Sequence, residues 1–275
     1  MALVGDAQTA RLAEMAGYDA ASLGTAPVTN GLLGLPDTSF LTLSEMEFVA
    51  SRAAAACEIP VMVGAETGYG NALNMARAIR TLDRAGVAGA FIEDKEHPAV
   101  SPSGGPSIPV AEMVGKIAAA ADSRGDGSFV LIARTDVARS EGVDAAIERG
   151  LRYVEAGADG FFAVGVPSEE RATVIREVPG AFHVAVLGEH STFPYLEALG
   201  YSVVLTNHAP THAGALQTLL RFEEIRRSGT SGDVEWKRDA AGTALEGWET
   251  GDHGNISRLD VDALRAKYLP TEPST

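Results

Sequence analysis

The sequence has little cysteine and few positive charges. Its 275 residues include one cysteine, Cys57, so no disulfide can form within the chain, and a reducing compartment is expected. Aspartate and glutamate outnumber lysine and arginine by 37 to 22, giving a net charge of −15. This charge argues against a nucleic-acid partner or an anionic membrane surface, because both would be repelled.

Long hydrophobic runs are also missing. No apolar stretch approaches the roughly 20 residues that are needed to span a bilayer. The first residues, MALVGDAQTA, lack the basic segment and the apolar segment of a secretory signal. We therefore expect a cytoplasmic protein without a membrane partner.

What the sequence does contain is a regular alternation of short apolar runs with alanine-rich helical stretches. The helical patterns at 71–86 and 143–157 both end near a glycine suited to a helix C-terminus. The apolar runs are nearly continuous, as in parallel strands that are buried on both faces. We predict eight strands, at residues 2–5, 19–23, 59–63, 89–93, 129–133, 160–164, 182–187 and 202–206.

Eight such units predict an α/β fold of the (β/α)8 TIM barrel type, for which about 250 residues are typical. A doubly wound open sheet is the alternative, but no GxGxxG turn follows the first strand. We assign residues 1–228 to the barrel and residues 229–275 to a polar C-terminal arm. This arm is expected to pack on its own chain or on a neighbour.

In such barrels the functional groups lie at the C-terminal ends of the strands. Polar residues follow most of the predicted strands, and together they predict a functional rim. Cys57 instead precedes a strand, at the opposite face, so a packed core thiol is expected there. The rim residues are Asp6, Gly24, Thr25, Glu66, Glu93, Asp94, Lys95, Arg134, Thr135, Asp136, Glu189, Asn207 and His208.

Two connections are longer than usual. Residues 24–41 carry Asp37 between apolar segments. Residues 94–109 are rich in proline, serine and glycine, which predicts a mobile flap over the rim.

Several stretches, in order, resemble one enzyme superfamily over nearly the whole chain. They are LGLPDTSFLTLSEM, GAETGYGNALN, RAGVAGAFIEDK and DGSFVLIARTD. The sequence is similar to the phosphoenolpyruvate mutase/isocitrate lyase superfamily. The resemblance implies a (β/α)8 barrel that binds Mg²⁺ and a small anionic 2-oxo acid and makes or breaks a C–C or C–P bond. It also implies a homotetramer, or at least a dimer, with a C-terminal helix exchanged between subunits.

The resemblance implies a metal site as well. Mg²⁺ prefers oxygen ligands and usually retains water, so a few carboxylates suffice. The superfamily's metal-shell acids correspond here to Gly64, Glu66, Glu93 and Asp37. Because Gly64 has no carboxylate, either the longer Glu66 takes over its role or the metal site is weakened or lost.

The same comparison implies roles in substrate binding. Arg134 matches the arginine that grips the substrate's anionic group, and Asp37 lies near the substrate. Backbone amides at Gly24, Thr25 and Ala26 match the segment that binds the substrate's carboxylate and carbonyl oxygens. The candidates assigned to substrate orientation or proton transfer are Asn207 and His208 after the last strand, and Ser101 in the flap.

The flap, EDKEHPAVSPSGG, separates the branches of the superfamily. It lacks the catalytic cysteine of the isocitrate and methylisocitrate lyases, and Val164 replaces a histidine of the phosphonate-processing branches. The nearest resemblance is to the oxaloacetate decarboxylases. We therefore predict an Mg²⁺-dependent lyase or decarboxylase that acts on an oxaloacetate-like 2-oxo dicarboxylic acid through a metal-stabilised enolate. The alternatives are a phosphonopyruvate-type mutase or hydrolase, and a non-catalytic barrel that has lost the metal site.

Overall fold

The structure is a computed structural model that describes residues 1–98, 105–125, 127–189, 191–231, 233–246 and 261–268. The chain forms two compact units, Met1–Thr211 and His212–Thr275. The division that the sequence suggests, after residue 228, stays a prediction.

The first unit is built on eight parallel strands that pair in chain order, which confirms the predicted (β/α)8 barrel. Strands β7 and β8 pair over three residues, as do β1 and β2. The strands are β1 (Ala2–Val4), β2 (Ala21–Leu23), β3 (Val61–Gly64), β4 (Gly89–Glu93), β5 (Val130–Thr135), β6 (Gly160–Ala163), β7 (Phe182–Val186) and β8 (Val203–Leu205).

Strands β8 and β1 are joined by individual hydrogen bonds. The Met1 ammonium donates to Val204 O at 3.0 Å, and Thr206 N donates to Met1 O at 3.0 Å. Leu3 N donates to Thr206 Oγ1 at 2.8 Å. These three bonds connect the last strand to the first and bring the residues after β8 beside the start of the chain.

Helices follow the strands. They are α1 (Ala7–Met15), α2 (Thr25–Leu33), α3 (Leu43–Ala56), α4 (Ala72–Arg84), α5 (Val110–Ala121), α6 (Val143–Glu155), α7 (Arg171–Glu177), α8 (Phe193–Ala198), α9 (Ala209–Ser228), α10 (Asp233–Ala240) and α11 (Val261–Tyr268). None of the helices in the described part of the chain is long and apolar enough to cross a membrane.

Helix α2 occupies the first half of the long connection predicted at 24–41. Its residues include Pro27, Thr29 and Gly31, which are poor helix formers or, for Pro27, favourable only in the first turn. Pro27, Val28 and Thr29 are buried, so burial against the barrel stabilises a helix that local propensity does not predict.

The core has two layers. A large cluster lies between strands and helices and includes Cys57, which is 4% exposed, as the sequence predicts for a packed thiol. A second cluster inside the barrel consists of Met62, Phe91, Ile132, Phe162 and Val184. Because successive residues of a strand point to opposite faces, the next inward-facing positions toward the C-terminal ends, such as Glu93 and Arg134, lie beyond this inner cluster.

Candidate active site

A cavity of about 260 Å³ opens at the C-terminal ends of the strands. About half of its side chains are apolar, and the other half are charged or polar. It is formed by Leu3, Ser22, Leu23, Gly24, Thr25, Ala26, Asp37, Gly64, Phe91, Glu93, Arg134, Phe162, Val164, Val186, Leu205, Thr206, Asn207 and His208.

Most of the predicted site residues line this one cavity. Glu66 does not: it is 8% exposed and lies outside the described lining. Ser101 lies outside the described residues, so its predicted role stays a prediction. The predicted residues that meet at the cavity are Gly24, Thr25, Ala26, Asp37, Glu93, Arg134, Asn207 and His208.

Two acids and two bases form a closed ring of ion pairs beside the cavity. Arg134 Nη1 lies 2.7 Å from Glu93 Oε1, while its Nε and Nη2 contact Asp136 Oδ1 and Oδ2 at 3.0 and 3.1 Å. Lys95 Nζ lies 3.1 Å from Glu93 Oε2 and 2.8 Å from Asp136 Oδ2. Strand register explains the pairing, because Glu93 on β4 is the direct neighbour of Arg134 on β5.

The ring favours the charged forms of Arg134, Lys95 and Asp136. Burial acts to lower the pKa of Arg134 and Lys95, but the nearby charges of Glu93 and Asp136 outweigh it and raise both values. Burial acts to raise the pKa of Asp136, yet Arg134 and Lys95 hold that pKa below its usual value. Two positive and two negative groups leave the ring without net charge.

Arg134 retains donors for a ligand. A guanidinium has five N–H groups, and three of them are donated, one to Glu93 and two to Asp136. The other two have no acceptor among the described residues, and the side chain lines the cavity. A carboxylate in the cavity would therefore meet a guanidinium already fixed in orientation by Glu93 and Asp136.

The N-terminus of helix α2 opens on the same cavity. Its N-cap, Gly24, has no side chain to satisfy the first amides of the helix. Thr25 and Ala26, the first two helical residues, both line the cavity. Unpaired amides and the helix dipole favour an anion at this position.

Two further carboxyl groups lie close to Glu93. Burial, followed by the charges of Glu93 and Asp37, raises the pKa of Glu66 to about 7. Burial and the charge of Glu93 also raise the pKa of Asp37. Glu66 Oε1 is buried without a hydrogen-bond partner among the described residues. Neighbouring acids that disfavour one another's ionisation are stabilised by a cation.

An acid at position 64, which the resemblance implies, would meet a neighbouring side chain in this structure. A Cβ atom at Gly64 would lie 2.9 Å from Thr25 Cγ2, closer than side chains normally approach. The Thr25 methyl group thus occupies the space beside Gly64. Thr25 Oγ1 also donates to Asp37 Oδ2 at 3.4 Å, so this threonine lies between the third strand and Asp37.

Asp94 differs from its neighbour Glu93 because adjacent strand residues face opposite sides. It is fully buried, and its Oδ2 accepts from Tyr153 Oη at 2.7 Å and Arg149 Nη1 at 3.0 Å. Arg149 Nη1 also donates to Ile108 O at 3.0 Å. Asp94 therefore anchors the base of the predicted flap, and it is not among the residues that line the cavity.

The acidic side chains around Glu93 form a candidate site for Mg²⁺. No group of three or more histidine, cysteine or acidic side chains in the described residues is already arranged to hold a metal ion. Two carboxylates suffice for Mg²⁺ when water completes its shell, and Asp37 and Glu66 have the raised pKa values and the unpartnered oxygen that a cation would relieve. The oxygen donors present therefore fit this ion, with Glu93 as a third acid nearby.

Sequence reasoning placed Lys95 and Asp136 on the rim but gave them no role. The strand pattern contains a usable signal for Asp136, because it lies two residues after Arg134 and so on the same side of the chain. The same signal exists for Lys95, which lies two residues after Glu93. Its contact with Asp136 depends in addition on the pairing of β4 with β5.

A (β/α)8 barrel with a cavity at the C-terminal strand ends is typical of enzymes, and comparison with known proteins shows the family. The phosphoenolpyruvate phosphomutase family profile matches residues 2–225. The chain is 38% identical to 2,3-dimethylmalate lyase of Eubacterium barkeri over 236 residues, covering 83% of this chain and 82% of that protein.

Two further comparisons point to the same superfamily. An oxaloacetate decarboxylase of Bradyrhizobium sp. (strain ORS 278) is 35% identical over 82% of this chain and 79% of its own length. The structure of a phosphonopyruvate hydrolase complexed with oxalate and Mg²⁺ superposes with a TM-score of 0.80 at 28% identity, covering 98% of this chain and 93% of the other. The chain belongs to the phosphoenolpyruvate mutase/isocitrate lyase superfamily, and the predicted carbon–carbon lyase class agrees with these relatives.

Proposed function

We propose that this protein is an Mg²⁺-dependent lyase or decarboxylase that acts on a small oxaloacetate-like dicarboxylic acid. One observation carries the proposal: the remaining N–H groups of Arg134 and the N-terminus of α2 open on the same cavity. Two separate donor sets suit a substrate with a carboxylate at one end and a carboxylate next to an oxygen function at the other. The names of the lyase and decarboxylase relatives support the same reaction class.

Each residue has a distinct task in this proposal. Arg134 binds one carboxylate, and Glu93 and Asp136 fix the guanidinium in place. Amides of Thr25 and Ala26 bind the carboxylate and carbonyl oxygens at the other end. Asp37, Glu66 and Glu93 would hold Mg²⁺, which would stabilise negative charge on the substrate's oxygen.

Residues after β8 complete the site. Asn207 Oδ1 accepts from Ala209 N at 2.9 Å, which fixes this side chain at the start of α9. His208 follows it and lines the cavity. We assign to His208 the orientation of the substrate or the return of a proton to the carbon released by bond cleavage, because an imidazole exchanges protons near neutral pH.

Turnover assays test the proposal directly. Loss of oxaloacetate and cleavage of 2,3-dimethylmalate should be measured with Mg²⁺ and compared with the metal-only background. Turnover of either compound that disappears on adding a chelator is expected. If neither compound reacts and oxalate does not bind, the proposal is wrong and the alternative of a non-catalytic barrel replaces it.

The metal assignment predicts opposite effects of one substitution in the presence and absence of Mg²⁺. Glu66→Gln removes a charge repelled by Asp37 and Glu93, so the metal-free protein should unfold at the same or a higher temperature. Mg²⁺ at 100 times its Kd stabilises a folded protein by about 2.7 kcal/mol. In Glu66→Gln the Kd for Mg²⁺ should be higher, so the rise in unfolding temperature at the same Mg²⁺ concentration should be smaller than in the parent. Calorimetry and thermal unfolding measure both effects.

The exposed Glu148→Gln on α6 is the matched control and should leave the Mg²⁺ effect unchanged. Gly64→Asp restores an acid but brings its Cβ within 2.9 Å of the Thr25 methyl. Gly64→Asp combined with Thr25→Ser should therefore bind Mg²⁺ more tightly than Gly64→Asp alone. An Mg²⁺ effect of equal size in the parent and in Glu66→Gln would contradict the assignment.

We also propose that the protein assembles as a tetramer, or at least as a dimer. Leu216, Leu219 and Leu220 on α9 are spaced to share one helix face and are about half exposed. We expect a second copy of this chain to cover that face, because monomers rarely leave such apolar patches open.

Light scattering coupled to size exclusion tests the assembly. Leu219→Glu should shift the protein toward monomer, whereas Gln217→Glu adds the same charge about 160° around the helix from Leu219 and should not. A monodisperse monomer for the parent protein would rule the assembly out.

A further inference from the structure

The two halves of the cavity differ in chemistry. The ends of β4 and β5 carry Glu93 and Arg134, which belong to the ion-pair ring. The ends of β6, β7 and β8 carry Val164, Val186 and Leu205, and all three line the cavity. These three side chains, called the aliphatic row below, carry no charge.

Strand register makes the row continuous. Val186 on β7 is the direct neighbour of Leu205 on β8. Phe161 on β6 pairs with His183 on β7, and continuing that register by three residues places Val164 beside Val186. Directly paired residues of parallel strands point to the same face, so the row forms one aliphatic wall.

This wall is open to the cavity. Val186 is 38% exposed, whereas Val184, the preceding inward-facing residue of the same strand, is 1% exposed. Val164 packs against the inner cluster that contains Phe162. The row is therefore a supported apolar surface that a ligand in the cavity can cover.

An unsubstituted dicarboxylic acid suits only half of such a cavity. Its carboxylates match Arg134 and the α2 N-terminus, but it has no alkyl group to place against the row. Carboxylates pressed against aliphatic side chains would lose water without gaining hydrogen bonds. A methyl group at this position would instead bury apolar surface on both sides.

We propose that the aliphatic row is an alkyl-accepting subsite, so that the preferred substrate is a dicarboxylic acid with one or more small alkyl substituents on its carbon chain. This inference rests on the proposed function for the reaction, but the binding preference itself does not require turnover. Val164 and Val186 determine the specificity, because they contact the substituent and not the reacting carboxylate.

Two unreactive probes isolate the preference from catalysis. Succinate and 2,3-dimethylsuccinate have no hydroxyl or ketone group, and calorimetry gives their dissociation constants with the Mg²⁺-loaded protein. One methyl group in an apolar pocket is worth about 10- to 200-fold. We expect 2,3-dimethylsuccinate to bind at least about tenfold more tightly than succinate, with the same order for 2,3-dimethylmalate over malate in kcat/KM.

Val164→Thr keeps the side-chain shape but replaces one methyl group with a hydroxyl, so it should reduce the ratio of the two constants several-fold while succinate binding changes little. Val114→Thr on α5, outside the cavity, is the matched control and should leave the ratio unchanged. Equal binding of the probes, or a ratio unaffected by Val164→Thr, overturns the subsite. Absence of turnover with the preference intact refutes the proposed reaction and leaves the subsite standing.

Discussion

Replacing Arg134 with methionine is expected to lower kcat/KM by between about 30-fold and several thousand-fold, equivalent to about 2–5 kcal/mol. The substitution removes the two guanidinium N–H groups that remain for the substrate. It also leaves Asp136, and Glu93 in the cavity lining, with Lys95 as their remaining partner in the ring. An anionic substrate would then meet excess negative charge, so KM should rise as well as kcat fall.

Arg134→Lys separates charge from geometry. A lysine keeps the positive charge but cannot contact Asp136 and a carboxylate as a planar fork. We expect it to recover only part of the lost activity. Arg176→Met, on an exposed arginine of α7, is the control for general loss of charge. An Arg134→Met enzyme within threefold of the parent would show that Arg134 has only a structural role.

The second large effect concerns stability. Arg149→Met is expected to lower the free energy of unfolding by about 3–5 kcal/mol, because it leaves a buried acid without its charged partner. Asp94 is fully buried, and Arg149 is its ion-pair partner at 3.0 Å. Denaturant unfolding followed by circular dichroism measures the loss.

Arg152→Met, one turn further on the same helix, removes an arginine that is 57% exposed and should cost less than about 1 kcal/mol. Adding Asp94→Asn to Arg149→Met should recover part of the loss, since the uncompensated charge is gone. A loss below 1 kcal/mol for Arg149→Met alone would refute the view that this pair anchors the base of the flap.

The predicted strands agree with the structure to within about two residues at most ends. A parallel strand that is buried on both faces requires a continuous apolar run. Such a run can be recognised in the sequence without knowing which strands pair with it. The position of the site followed from the same pattern, because the polar residues after the strands of a barrel share one rim. The superfamily was evident from ordered motifs, and the comparisons confirm it.

Several site features depended on which residues lie side by side. The sequence placed Glu93, Lys95, Arg134 and Asp136 on one rim, but only the register of β4 and β5 joins them into a neutral ring. It also offered Glu66 as a replacement for the acid missing at Gly64. That role stays a prediction, because Glu66 lies outside the cavity lining but is close enough to Glu93 and Asp37 for their charges to raise its pKa.

Local sequence determined the elements, the rim and the family of this protein, because strand and helix periods are properties of short segments. Tertiary structure decided the contacts within the rim. Helix α2 forms where propensity opposes it, the Thr25 methyl fills the space beside Gly64, and Val164, Val186 and Leu205 align into one wall. Each of these contacts joins residues distant in the chain, and their separation in space is set by strand register and burial, which no short segment specifies.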